Sequence, residues 1–156
     1  QHILVMEKII FMKYQELHYS IGISLGSLMA TIMFLNVWLI IWPNQKKVIA
    51  GTEDAAQAGA KAALASRTNT LFSFPMLYFM IYSAHISDGK NYFYEIPGVA
   101  ASGWNMPALY IGTAIILAIE ANAIFGKMRG FMESVKAVIH SGLILTVLFA
   151  LLVYYY

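Results

Sequence analysis

Four long apolar stretches alternate with shorter polar segments along the chain. A helix needs about 20 residues to cross the ~30 Å hydrocarbon core of a bilayer, and each stretch is long enough. Pro43 and Asn44 are expected to end the first stretch, whereas Pro107 and Gly126 mark the start and end of the third. The pattern predicts an all-α integral membrane protein, one domain forming a four-transmembrane-helix bundle. The spans fall at about 17–42, 55–86, 106–125 and 135–156.

The second span differs from the others in its first half. It is clearly apolar from Leu71 to Ile86, but an alanine-rich segment beginning near Ala55 favours helix and runs directly into it. We therefore expect a long second helix that extends out of the membrane. Pro75 removes one backbone donor and is expected to kink this helix, with Ser73 close enough to bond a freed group.

The composition supports a membrane protein and excludes several other classes. Of 156 residues, 60% are hydrophobic and only 12% are charged, about half the charged fraction of a soluble domain. The net charge is +2 and the basic residues are scattered, so nucleic acid is not an expected partner. The chain has no cysteine. It therefore cannot hold a disulfide, a Cys-ligated zinc, an iron–sulfur cluster or a covalently attached c-type haem.

The distribution of Lys and Arg predicts the orientation. One side of the membrane would carry Lys8, Lys13 and Lys90, and the other side Lys46, Lys47, Lys61, Arg67, Lys127, Arg129 and Lys136. The richer group is expected in the cytoplasm. Both termini would then face outside, or the periplasm, in a prokaryotic-type cytoplasmic (inner) membrane.

Polar residues are predicted to cluster in the inner half of the bundle. Counting about 1.5 Å per helical residue from the outer ends of their spans places Glu120 and His140 in one layer. Asn36 and Asn69 fall within one or two turns of that depth, with Arg67 closer to the cytoplasm. A carboxylate facing hydrocarbon costs several kcal/mol, so Glu120 needs a partner, and His140 or Arg67 could supply one.

Two interpretations of this cluster remain open at this point. It could be a proton relay or the polar wall of a small-molecule site, which would make its members the candidate catalytic residues. It could equally be an internal hydrogen bond that locks two spans together.

Cofactor and packing residues give weaker signals. His18 and His85 lie at similar depth on the outer side and could ligate haem or copper, although interfacial histidines are common without any ligand. We expect no metal and no cofactor in this chain. Methionines four residues apart, as at Met29 and Met33, are expected to serve packing. Gly22 and Gly26 form a G-x-x-x-G pattern that predicts a close helix contact.

The junction of the first two spans carries a family resemblance. The run TIMFLNVWLIIWPNQKKVIA begins at Thr31, and ASRTNTLFSFPMLYFMIYSAH follows from Ala65 after the alanine-rich helix. Together they resemble the membrane domain of the bacterial membrane-bound urate hydroxylases, the urate oxidase N-terminal domain, of which this chain matches the later half. The most specific elements are Asn36, the turn that begins at Pro43, and Arg67 with Asn69. The resemblance implies a redox context, because the urate hydroxylases end in a cytochrome c domain that accepts the electrons.

Three functions remain as alternatives. The first is a small integral subunit, accessory or structural, of a larger membrane oxidoreductase or oxygenase complex, with the bilayer and other membrane subunits as partners. Such a chain is not expected to be catalytic on its own. The second is a half-size urate hydroxylase-like redox protein that needs a haem-bearing partner. The third is a transporter or channel module lined by the polar cluster.

Overall fold

The described part of the protein is helical throughout. A computed structural model describes residues 21–83, 106–128 and 130–155 and contains no strand in these ranges. A short 3-10 turn, Gly130–Met132, precedes the last helix. The prediction of an all-helical protein is confirmed. The long helices are α1 (Ile21–Ala50), α2 (Ala55–Ile81), α3 (Met106–Phe125) and α4 (Val135–Tyr155).

Three of these helices, α1, α3 and α4, are long and apolar enough to cross a membrane. The helix α2 also has the length, with 27 residues. It falls short in apolarity because Lys61, Arg67, Asn69 and several hydroxyl-bearing residues interrupt its apolar positions. α3 ends at Phe125, directly before Gly126, and α4 begins at Val135, as the sequence predicts for these two helix ends.

The end of the first helix was predicted wrongly. Pro43 and Asn44 do not terminate α1, which continues to Ala50 and ends where Gly51 adopts a left-handed conformation with φ 63°. The reason is a π-helical segment, Asn36–Ile41, whose wider turn directly precedes the proline. Pro43 then occupies the first turn of renewed α-helix, where its missing N–H matters least. The Asn44 side chain donates a 2.7 Å hydrogen bond to the carbonyl of Ile40.

The helix α2 lies at the centre of the bundle and packs against the other three helices. Pro75 is buried inside it and does not end it. Ser73 Oγ donates to Thr70 O at 2.7 Å. The regular helix runs to Ile81, and Tyr82 and Ser83 continue it as a π turn, whereas the predicted end at Ile86 lies outside the described residues.

The helix directions follow from the paired contacts. The rings of Phe79 and Phe149 stack with centroids 6.2 Å apart, and Leu71 approaches Gly142, so α2 and α4 run in the same direction. Leu25 approaches Gly112 and Asn36 bonds Glu120, so α1 and α3 are also parallel. Because α1 and α2 are antiparallel, the α1–α2 turn and the α3–α4 loop lie at the same end of the bundle.

The first two helices extend beyond the others at this end. Val48 of α1 packs beside Gly59 of α2, well before the level at which α4 begins. The connecting turn is closed by an exposed ion pair between Lys47 Nζ and Asp54 Oδ2 at 2.6 Å. Thr52 Oγ1 adds a 2.7 Å hydrogen bond to the same carboxylate. These two partners, Lys47 first, hold the pKa of Asp54 below its usual range.

Candidate functional site

A hydrogen-bond network joins three helices in the interior of the bundle. Asn36 of α1 donates through Nδ2 to Asn69 Oδ1 of α2 at 2.9 Å and to Glu120 Oε2 of α3 at 3.0 Å. Asn69 in turn donates through Nδ2 to the backbone carbonyl of Met33 at 3.0 Å. We call Asn36, Asn69 and Glu120 the polar network. Each of the three helices contributes one side chain to it.

The network is shielded from the surroundings of the bundle. Only 2% of the Asn36 surface and 8% of the Glu120 surface are exposed, while Asn69 is half-buried. A carboxylate accepts hydrogen bonds and an amide nitrogen donates two. Asn36 therefore spends both of its amide hydrogens within the network. Glu120 accepts from the neutral amide of Asn36. It bonds neither Arg67 nor His140, which were its predicted partners.

Asn36 points inward because it continues the buried stripe of α1 that runs through Met29 and Ile32 at helical spacing. Asn36 is the first residue of the π-helical segment, in which Trp42 N–H bonds Val37 O five residues earlier. Adding a π turn rotates the residues after it relative to those before it, and such turns are frequent at functional sites. Met33 O, which accepts from Asn69, lies in the turn that precedes this segment. The π segment and the polar network are thus parts of one arrangement.

Arg67 lies outside this network and holds the α3–α4 loop. Its Nη1 donates to Glu133 O at 2.6 Å and to the backbone carbonyl of Met132, and it lies 2.6 Å from Met128 Sδ. Two residues along α2 separate it from Asn69, and this places it nearer the loop end of the bundle. Arg67 therefore fixes the loop that follows the helix of Glu120, while making no bond to the carboxylate itself.

His140 also lies apart from the polar network, although at a similar depth. The stacking of Phe79 on Phe149 places His140 almost level with Asn69. Its ring is nevertheless exposed on the outer face of α4, where Nδ1 pairs with Lys136 O at 2.7 Å. The depth of His140 in the bundle follows from the number of residues to the end of its span, whereas the helix face on which its ring lies does not.

The weak haem or copper candidates cannot be placed. His18 and His85 lie outside the described residues. Within 21–83, 106–128 and 130–155, no group of three or more His, Cys, Asp or Glu side chains could hold a metal ion.

The glycines of the G-x-x-x-G pattern lie against α2. A Cβ added at Gly22 would stand 3.2 Å from Phe79 Cδ1, and one at Gly26 would stand 3.3 Å from Phe79 Cβ. Met29, one turn further, is fully buried in the core. Both glycines therefore face a helix of the same chain.

The exposed side of α1 carries a row of aromatic rings that the sequence pattern had not been taken to predict. Phe34, Trp38 and Trp42 form a ladder of rings with centroids 6.2 and 6.5 Å apart, and Lys46 Nζ stands 5.7 Å from the Trp42 ring. Each ring-bearing residue is more than half exposed. The regular spacing of four residues was the signal in the sequence, since residues four apart share one face of a helix.

The comparison with known families matches the part of the chain that contains α1 and α2. The family model described as Urate oxidase N-terminal matches residues 2–96, more than half of the chain. The match includes Asn36, Arg67 and Asn69, whereas Glu120 lies beyond it. No curated protein and no solved structure matches the chain. The extent of the family match shows that the chain belongs to the urate oxidase N-terminal family.

Proposed function

We propose that the chain is a small integral membrane subunit, accessory and structural, of a larger membrane oxidoreductase or oxygenase complex. Membership of the urate oxidase N-terminal family supports the redox context. The observation that carries the accessory role is the polar network, in which Asn36 and Asn69 spend their amide groups on partners within the chain. Such a network stabilises contacts between helices in a membrane.

In this proposal all four helices cross the bilayer, in a prokaryotic-type inner membrane with both termini outside. The weakest span by composition, α2, is supported by its surroundings. It packs against three other helices, and it runs parallel to the apolar α4 through the contacts of Phe79 with Phe149 and of Leu71 with Gly142. A helix in this position crosses alongside its neighbour. Its first turns, from Ala55, then project from the membrane with the end of α1.

The test is extraction of the native protein in mild detergent, followed by native mass analysis and a visible absorption spectrum of the same fraction. We expect the chain to run within a larger complex at fixed stoichiometry, with any visible absorbance assigned to other subunits. A chain that runs alone or as a small oligomer with its own haem or metal absorbance contradicts the accessory role.

A second candidate is a half-size urate hydroxylase-like redox protein that acts with a haem-bearing partner. The chemical identity of Glu120 favours it, since a glutamine would accept the same hydrogen bond from Asn36 at lower cost in a membrane. An ionisable group at that position can exchange a proton. The polar network would then be the substrate or proton site.

Glu120→Gln separates the two candidates, with Glu133→Gln as a control at an exposed position on the adjacent loop. In an accessory subunit, Glu120→Gln leaves turnover of the assembly close to that of the wild type. In the redox protein, turnover falls at least about 100-fold, the low end for loss of a proton-transfer group, while assembly and stability are retained. Glu133→Gln is expected to change neither the turnover of the assembly nor its stability.

A further inference from the structure

The exposed side of α1 combines aromatic rings with one cation at their end. Phe34, Trp38 and Trp42 are 61%, 55% and 54% exposed, and Lys46 follows one turn later with its ammonium 5.7 Å from the Trp42 ring. We call these four residues the aromatic face. A ladder of exposed rings on one helix side is unfavourable in water and favourable against hydrocarbon. The exposed side of α1 is therefore an apolar strip that ends in the positive charge of Lys46.

The position of the strip along α1 fits the boundary of a bilayer. Trp42 is the last apolar residue before the polar run from Asn44 to Lys47, so the apolar strip ends at its ring. Trp42 then lies at the interface, where tryptophan is enriched. Lys46 lies about 6 Å further out, at the level of lipid phosphates.

The charge of Lys46 is available to a partner from outside the chain. The neighbouring Lys47 is paired with Asp54 at 2.6 Å, whereas Lys46 forms no ion pair within the described residues. The Trp42 ring attracts the Lys46 ammonium and keeps it over the end of the ladder. A phosphate bound to Lys46 would therefore lie at the end of the ring ladder formed by Trp42, Trp38 and Phe34.

We propose that the aromatic face binds one acidic phospholipid. The lipid phosphate pairs with Lys46 Nζ, and an acyl chain lies along Trp42, Trp38 and Phe34 toward the middle of the bilayer. The inference needs α1 to be inserted in a membrane, and it holds whether the subunit is accessory or redox-active. It assigns a function to the exposed side of α1, which takes no part in the polar network.

The test uses the full chain in nanodiscs of phosphatidylcholine containing a fraction of phosphatidylglycerol, with retained lipid counted by native mass spectrometry. We expect Lys46→Gln to weaken retention of phosphatidylglycerol about fivefold, the effect of one cation at a lipid surface. Lys61→Gln removes the same charge from an exposed position of α2 and is expected to leave retention unchanged. Lys46→Arg is expected to restore it. Equal losses for Lys46→Gln and Lys61→Gln would show general surface attraction and overturn the proposal.

A second measurement checks the apolar part of the site. In a Trp104→Phe background the tryptophan fluorescence comes from Trp38 and Trp42 alone, since the chain has three tryptophans. Lipids brominated on their acyl chains are expected to quench it. Fluorescence that resists quenching, together with a mass showing a second copy or another subunit, would mean that protein covers the aromatic face and would overturn the lipid assignment.

Discussion

At the scale of single residues, Glu120 places an ionisable group in the interior of the bundle. Its carboxyl is buried and bonded to the amide of Asn36, which is itself buried and bonded to Asn69. Removing one partner leaves a buried polar group unsatisfied, and this costs more than the bond itself contributes. The energetic effect of any one of these side chains therefore depends on whether the others are present.

Glu120→Ala is expected to lower the free energy of unfolding by about 1–2 kcal/mol, whereas Glu120→Gln is expected to cost less because its amide oxygen still accepts from Asn36. Asn36→Ala combined with Glu120→Ala should be clearly less damaging than the sum of the two single changes. Denaturant titration in mixed micelles measures these differences. His140→Ala serves as the control, since its exposed ring should give additivity with Glu120→Ala. Additive effects for Asn36 and Glu120 would contradict the network.

At the scale of elements, the contact between α2 and α4 is set by a missing side chain. A Cβ on Gly142 would stand 2.6 Å from Phe74 Cδ2 and 3.2 Å from the carbonyl oxygen of Leu71. That carbonyl is four residues before Pro75, so the proline removes its usual helical donor. Gly142 of α4 therefore allows a close approach to a backbone carbonyl of α2 whose usual helical donor is missing.

Gly142→Ala is expected to destabilise the bundle by about 1–3 kcal/mol, because the new methyl group meets a backbone atom as well as a ring. Gly112→Ala is the matched control in α3. Its new methyl would meet only the end of the Leu25 side chain, which can rotate away. Thermal unfolding of both variants in the same detergent compares them. A larger loss for Gly112→Ala would show that the α1–α3 contact is the more constrained one.

The turn between α1 and α2 is an element whose stability depends on pH. Pairing with Lys47 lowers the pKa of Asp54 in the folded protein, so the pair contributes stability above the ordinary Asp pKa of about 4. That contribution is lost as the pH falls through the lowered value. Lys47→Gln is expected to return the pKa of Asp54 toward its ordinary value, measured by carboxyl NMR. Lys46→Gln is the control, and an unchanged pKa in Lys47→Gln would exclude the pair as its cause.

At the scale of the whole molecule, the parallel pairs of helices place both described connections at one end. The α1–α2 turn contains Glu53, and the α3–α4 loop contains Glu133, and both are exposed. In a bundle with four spans these two positions reach the same compartment. The excess of Lys and Arg in these connections favours the cytoplasm.

Single-cysteine labelling tests this topology directly, because the native chain contains no cysteine. Glu53→Cys and Glu133→Cys are expected to react with a membrane-impermeant maleimide only when the cytoplasmic side is accessible. Ile144→Cys, exposed on the apolar face of α4, should stay unlabelled within lipid. Labelling of Glu53→Cys and Glu133→Cys from opposite sides would rule out a crossing by α2 between them.

The sequence by itself determined the helical class, the end of α3 at Phe125 and the relative depth of the polar residues along the bundle. These properties follow from apolar run length and from the fixed rise of a helix. Only the tertiary structure decided that Glu120 bonds Asn36 and that Arg67 holds the loop. Depth along a helix can be counted, but the face on which a side chain lies depends on packing. Likewise, α1 continues past Pro43 because the π segment before it places the proline in the first turn of renewed α-helix, where its missing N–H matters least.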